Sequence, residues 1–257
     1  MPGFDVNVPT SARVWNYWVG GKDNFAADRE AGEQILQAMP TLRAIAQMSR
    51  RFLIDAVHDL SAERGIRQYL DIGTGLPTAD NTHDVAQRAA PDARIVYADY
   101  DPVVLTHAKA LLTSTPEGKT DYIQADVRDP EVILSAARRT LDFSQPIAVI
   151  LIFVMHFVTD AERPHDVVRK LMEPLPPGSY LVMAHAASDI AADFMAAGAD
   201  AYNNRVTAQI TPRDHAGVSR FFDGLEMTAP GVVPLAQWFG AGDDRGLQAY
   251  CGVGRKP

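Results

Sequence analysis

Residues 69–75 read Tyr-Leu-Asp-Ile-Gly-Thr-Gly, and Ile-Val-Tyr-Ala-Asp-Tyr-Asp follows at 95–101. The first run is a short apolar strand that ends in Asp71-x-Gly73-x-Gly75 and a turn. The second is another strand, tipped with acids at Asp99 and Asp101. A strand, a glycine turn, a helix and an acid-tipped strand make one nucleoside-binding βαβ unit. Glycines let the backbone turn sharply and lie against a ligand without Cβ interference. A carboxylate at the next strand tip accepts hydrogen bonds from ribose hydroxyls. The turn lacks a full G-x-G-x-x-G, because Gly75 is followed by Leu76, Pro77 and Thr78. Dinucleotide-binding turns use that third glycine, so the spacing fits a nucleoside without a diphosphate and argues against an NAD-type oxidoreductase.

Strand and helix patterns alternate outward from this unit. Strands are expected at 68–72, 94–99, 122–125, 147–153 and 179–184. Helices are expected from about 81 to 90, from Asp101-Pro102, from Asp129-Pro130 and from about 165 to 172, with proline at the first helical position of two of them. Residues 187–222 interrupt the alternation with two helices, the second opening at Thr211-Pro212-Arg213-Asp214. Two last strands, 225–228 and 247–252, read as an antiparallel pair. Upstream, residues 1–10 read as a loose arm and 11–64 as helical. Leu42, Ile45, Ser49, Phe52, Leu53, Ala56, Val57 and Leu60 share one helix face, and Gly65 stands where the helix ends. The expected division is a helical extension or lid over 1–66 and an α/β domain over 67–257.

The chain has 257 residues, 47% of them hydrophobic, enough for a large core. The net charge of −8 argues against a general nucleic-acid or membrane-surface role, which needs clustered Lys and Arg. Cys251 is the only cysteine, so neither an internal disulfide nor a cysteine zinc site can form. The seven histidines show no metal-binding spacing, so no metal is expected. The apolar run Ile147–Val158 is too short to span a bilayer. No basic segment followed by an apolar core opens the chain, so no leader is expected and a cytoplasmic location is.

The runs SARVWNYWVGGKDNFAADREAGE (11–33), LDIGTGLPTADNTHDVAQ (70–87), VYADYDPVVLTHAKALL (96–112) and ADVRDPEVIL (125–134) resemble an actinobacterial family of S-adenosylmethionine-dependent methyltransferases, formerly a domain of unknown function. The GGKDNFAADR segment is the specific part, and the resemblance covers nearly the whole chain. It implies a class I methyltransferase: a Rossmann-like seven-stranded sheet with a parallel core and an antiparallel last strand, carrying an N-terminal helical extension. It implies S-adenosylmethionine as cofactor and an unidentified, small-molecule acceptor. A protein that binds the cofactor without turnover is the alternative.

On this resemblance Asp71, Gly73 and Gly75 form the first cofactor motif, under the methionine part. Asp99 takes the ribose; Asp101 is the second candidate, with an N-cap before Pro102 as its plainer role. Asp126 accepts from the adenine amino group and Val127 packs on the ring, unless Asp126 only caps its loop. Arg13, Tyr17, Gly20, Gly21, Lys22, Asp23 and Asn24 form a polar cluster read as a lid, with Tyr17 and Asn24 reaching the amino-acid end of the cofactor. His156, after the fourth strand, is the candidate base, with simple packing as the alternative; His185 is a second candidate. Tyr202, Phe221, Phe222 and Trp238 are candidates for an apolar acceptor pocket, and Arg205 and Arg213 for binding an acidic one.

Overall fold

The computed structural model describes residues 5–111, 113–206, 208–240 and 246–257. Three helices come first, α1 (Ser11–Trp18), α2 (Ala26–Ala38) and α3 (Leu42–Ala62). The alternating part follows as β1 (Gln68–Ile72), α4 (Thr82–Ala89), β2 (Arg94–Asp99), α5 (Pro102–Leu111), β3 (Lys119–Gln124), α6 (Pro130–Ala137), β4 (Ala148–Ile152), α7 (Pro164–Met172) and β5 (Tyr180–Ala186). The chain ends with α8 (Ala192–Asn203), α9 (His215–Ser219), β6 (Glu226–Met227), β7 (Val233–Pro234) and β8 (Ala249–Arg255).

The strands form one sheet in the order β3-β2-β1-β4-β5-β8-β6, with β7 also paired to β8. Strands β1 to β5 are parallel, and β8 runs antiparallel to β5, β6 and β7. This is the class I methyltransferase architecture. The expected seven strands are those of the main path. The two-residue β7 is an eighth, too short to leave a periodic signal. Strand β3 begins three residues before its expected start because Lys119-Thr120-Asp121 sits at a half-exposed sheet edge, where no apolar alternation marks it.

Side chains alternate across each strand, so β1 sends Tyr69 and Asp71 to one face and Leu70 and Ile72 to the other. The first face packs Tyr69, Ile95, Ile150 and Val182 against Ile45, Phe52, Ala56 and Leu60 of α3. The second packs Leu70, Val96, Val149 and Leu181 against Ile133 of α6 and Val168 and Leu171 of α7. Helix α3 is therefore a layer of the sheet's own core. Within the expected extension over 1–66, α1 and α2 build a further cluster: Val14, Trp18, Ala31 and Ile35 pack with Ala46 of α3 and with Tyr202 and Val206 beside α8. Of the expected loose arm, residues 1–4 lie outside the described residues.

Candidate functional site

A cavity of about 630 Å³ opens over the C-terminal ends of β1 to β4, where open parallel sheets bind ligands. Its floor is the turn after β1. Gly73 has φ +71° and Gly75 φ +67°, conformations that glycine adopts without strain. A Cβ on Gly73 would stand 2.6 Å from Val154 Cγ2, whereas the space over Gly75 is open. Gly73 is required for close packing and Gly75 for access.

The acids at the strand ends hold this turn. Asp71 is buried and accepts from the Thr82 hydroxyl at 2.6 Å. Burial pushes its carboxyl up to about 6; the Thr82 bond and Arg50 act the other way, and Asp99 adds to the rise. Asp99 accepts from the Gly75 N–H at 3.0 Å and from the Asp101 N–H at 2.9 Å. Its carboxyl is also pushed up to about 6, by burial first, with these two bonds opposing. Asp101 caps α5, accepting from the Val103 N–H at 2.8 Å. Asp126 accepts from the Arg128 N–H at 2.9 Å and pairs with its guanidinium at 3.0 Å, and Val127 beside it is buried. Asp71, Gly73, Gly75, Asp99, Asp101, Asp126 and Val127 all line the cavity.

Arg50 of α3, which sequence reasoning missed, lines the same space. One of its terminal nitrogens donates to the carbonyls of Ala79 and Asp80 at 3.0 and 2.6 Å. Its Nε is buried without a hydrogen-bond partner. Burial lowers the guanidinium pKa, and Asp71 is the main opposing charge. A buried donor without a partner is costly, so this N–H is suited to an anionic group of a ligand. The sequence signal was a basic residue beside the apolar face of a buried helix.

The far wall comes from the β4 exit and from α1 and α8. A 3₁₀ turn over Met155–Phe157 follows β4 and carries His156 into the cavity. His156 is buried, and its Nδ1 has no hydrogen-bond partner. Burial, then the neighbouring His185 and Arg213, hold its pKa well below the ordinary histidine value, so the ring is neutral. Trp15, Trp18, Phe153, Phe157 and Tyr202 complete this wall.

The other sequence candidates lie elsewhere. Arg13, Tyr17 and Asn24 do not line the cavity. Arg13 forms a buried pair with Asp28 at 2.9 Å, and Asp28 also accepts from the N–H groups of Thr10 and Phe25. Asn16 accepts from the Asp23 N–H and the Asn24 side chain at 3.1 and 2.8 Å. A Cβ on Gly21 would come within 2.2 Å of the Asn16 amide. The Tyr17 hydroxyl bonds Glu33 at the surface. The glycine-lysine-aspartate-asparagine run is thus a brace that fixes the turn from α1 into α2. Of α1, Ser11, Ala12, Trp15 and Trp18 line the cavity.

His185 has both ring nitrogens occupied, by the Ala186 carbonyl at 2.8 Å and Arg213 at 2.9 Å, and stands behind the cavity wall. Arg213 is buried and tied to Asp160 at 2.8 Å, so it is not available to an acidic acceptor; Arg205 is bonded to Gln34 at 2.9 Å on the surface. Of the aromatic candidates only Tyr202 reaches the cavity. Phe221 stacks on His165 and Trp238 packs edge-on to Phe52, each filling a core; Phe222 is buried in the second-face core. Among the described residues no group of three or more His, Cys, Asp or Glu is placed to hold a metal ion.

The model of the S-adenosyl methyltransferase family matches residues 2–257. The chain belongs to this family. It is a methyltransferase that uses S-adenosylmethionine. Two solved structures agree along its length. A DUF574 family protein from Streptomyces avermitilis MA-4680 is 42% identical, with 98% of this chain and 99% of that one covered and a TM-score of 0.94. A candidate methyltransferase from Thermobifida fusca YX is 39% identical, with 99% and 97% covered and a TM-score of 0.90. The plantazolicin methyltransferase BpumL shares the fold at 11% identity, with 96% of each chain covered and a TM-score of 0.54. No curated protein matches the sequence. No helix among the described residues is long and apolar enough to cross a membrane.

Proposed function

We propose that this methyltransferase binds S-adenosylmethionine along the ends of β1, β2 and β3 and passes its methyl group to a small-molecule acceptor held between α1, α8 and the β4 exit. The observation that carries this reading is one cavity with two unlike ends. One end is charged and glycine-floored, the other aromatic.

The charged end suits the cofactor. Asp99 has carboxylate lone pairs left over for ribose hydroxyls after its two backbone bonds. Asp126 and Val127 suit the adenine edge and face, and the exposed ring of Tyr100 stands at the mouth of the same cavity. Asp71 and the open backbone at Gly75 suit the amino-acid part, and the orphaned Arg50 Nε–H suits its carboxylate. Asp101 serves α5 first and the ligand second. When bound, S-adenosylmethionine supplies a methyl group on a positively charged sulfur.

The protein's share of the work is alignment, desolvation and one proton. His156 is buried and lines the cavity, so its ring is placed to take the proton from the acceptor's nucleophilic atom. Burial and Arg213 make it a weak base, which suffices because that proton becomes strongly acidic as the methyl group arrives. Helix α1 acts as a lid whose inner surface is Trp15 and Trp18, with water excluded beneath it. Helices α1 and α2 are the closing element on this reading, and α3 onward the platform.

Calorimetric titration with S-adenosylmethionine and S-adenosylhomocysteine, on the parent and on Asp99→Ala, tests the cofactor end. Transfer of a labelled methyl group from S-adenosylmethionine into a pool of small metabolites tests the acceptor end. Labelling confined to macromolecules would overturn the small-molecule assignment.

A further inference from the structure

Six aromatic side chains at the acceptor end of the cavity form a closed series of ring contacts. Phe153 lies 5.1 Å from Trp15, and Trp15 lies 6.0 Å from Trp18. Trp18 is 6.4 Å from Tyr202, which is 6.4 Å from Phe157. Phe157 is 4.3 Å from His156, and His156 is 5.7 Å from Phe153, which closes the ring. All six line the cavity, although they come from three separate parts of the chain. Phe153 is held at φ +54°, a left-handed conformation that only surrounding structure can impose on such a residue. Its N–H donates to the Ala184 carbonyl at 2.9 Å, which fixes that conformation.

Charge is distributed unevenly around this circuit. Arg50, Asp71, Asp99 and Asp101 belong to the strand-end side. Arg128, near Phe157, is already held by Asp126 and by Glu162 at 2.6 Å. The orphaned polar atom of the circuit is His156 Nδ1. A neutral imidazole offers at most one N–H, and no unengaged cationic side chain is among the six rings, so a carboxylate or phosphate stripped of water would lack a countercharge there. Aromatic rings attract cations, but Arg213 stands directly behind His156, donating to the Met155 carbonyl at 3.1 Å. Its charge and that of the cofactor's sulfur both oppose a second cation at this place. The same two positive charges favour negative charge that develops on an acceptor oxygen as its proton leaves.

We propose that the acceptor is a flat, uncharged aromatic molecule bearing a phenol-type or enol-type hydroxyl, seated against these rings with that hydroxyl bonded to the His156 imidazole. This rests on the reading of the cavity as the methyl-transfer site. Its shape recognition comes from the rings, and its charge selection comes from the lack of an unengaged cationic side chain among them; the hydroxyls of Thr10 and Ser11, which also line the cavity without partners, are neutral.

The test is calorimetric titration of the full-length chain with 2-naphthol, 2-naphthoate and 2-naphthyltrimethylammonium, each with and without saturating sinefungin, a positively charged cofactor analogue. Naphthol should bind roughly tenfold or more tightly than either charged relative. Trp15→Ala should abolish most of that affinity while Trp15→Phe, which keeps a ring, retains it. His156→Phe should erase the preference for 2-naphthol over 2-methylnaphthalene. Equal or tighter binding of the naphthoate or the ammonium would overturn the proposal, as would naphthol binding indifferent to Trp15→Ala. If sinefungin fails to bind, the cofactor reading falls by itself. The naphthol series without it still decides the ring circuit.

Discussion

Replacing Asp71 by Asn should stabilise the ligand-free protein, and do so more at higher pH. Asp71 is buried beneath the glycine turn, and its carboxyl is raised from 3.8 to about 6. A carboxyl with a higher pKa folded than unfolded binds more protons in the folded chain, so its ionisation opposes folding as pH rises. The shift of about two units corresponds to about 3 kcal/mol once the group is fully ionised in both states. Integrated between the two pKa values, the penalty is about 1.6 kcal/mol at pH 5 and about 3 kcal/mol at pH 7.5. Asn keeps an oxygen for the Thr82 hydroxyl and removes the charge. The attraction of Arg50 is already contained in the shift, so its loss needs no separate deduction. The variant should therefore gain about 1.4 kcal/mol on the parent between pH 5 and pH 7.5. Carboxylates shifted the other way, such as Glu162 at about 2, are common to both proteins and cancel. Urea unfolding of both proteins without cofactor at the two pH values measures this. A stability difference that is the same at pH 5 and pH 7.5 would refute the reasoning, because it would show that Asp71 carries no buried charge to lose.

Asp99→Ala should weaken S-adenosylmethionine binding about tenfold or more, since hydrogen bonds to a charged group contribute about 1.5–3 kcal/mol; unchanged calorimetric affinity in a folded variant would remove Asp99 from the ribose. Gly73→Ala should cost about 1–3 kcal/mol in denaturant unfolding, from the positive φ and the clash with Val154, and adding Val154→Ala should return only the part due to the clash. With an acceptor found by screening, His156→Gln should lower kcat about a hundredfold or more while leaving cofactor affinity intact; equal losses in both would make His156 a packing residue. Arg13→Met should destabilise the chain by about 3 kcal/mol, because it leaves Asp28 buried with only backbone N–H partners. Circular dichroism melts would detect this, and cofactor affinity should fall with it if α1 is the lid.

The sequence by itself determined what depends on a few neighbouring residues. Gly73 and Gly75 announced a turn that only glycine makes easily, and both adopt positive φ. Asp101 ahead of Pro102 announced a helix cap, and its carboxylate makes that bond. Apolar strands at 68–72, 94–99 and 147–153 announced the parallel core, because buried parallel strands have no polar face to confuse the pattern. The same local rules led astray where a polar run served the chain instead of a ligand. Arg13, Tyr17 and Asn24 read as ligand contacts because their chemistry suits either purpose, and only packing shows that Asp28, Glu33 and Asn16 bond them. The ring circuit and the free Nε of Arg50 were decided by tertiary structure alone. Trp15, Phe153 and Tyr202 have unremarkable surroundings in the sequence and become neighbours only when α1 and α8 meet over the end of β4. Period and capping constrain positions a few residues apart. Which side chain is left without a partner depends on every element that packs around it, and that is why the aromatic end of the cavity, unlike the glycine turn, was legible in the linear order only at His156 and Tyr202.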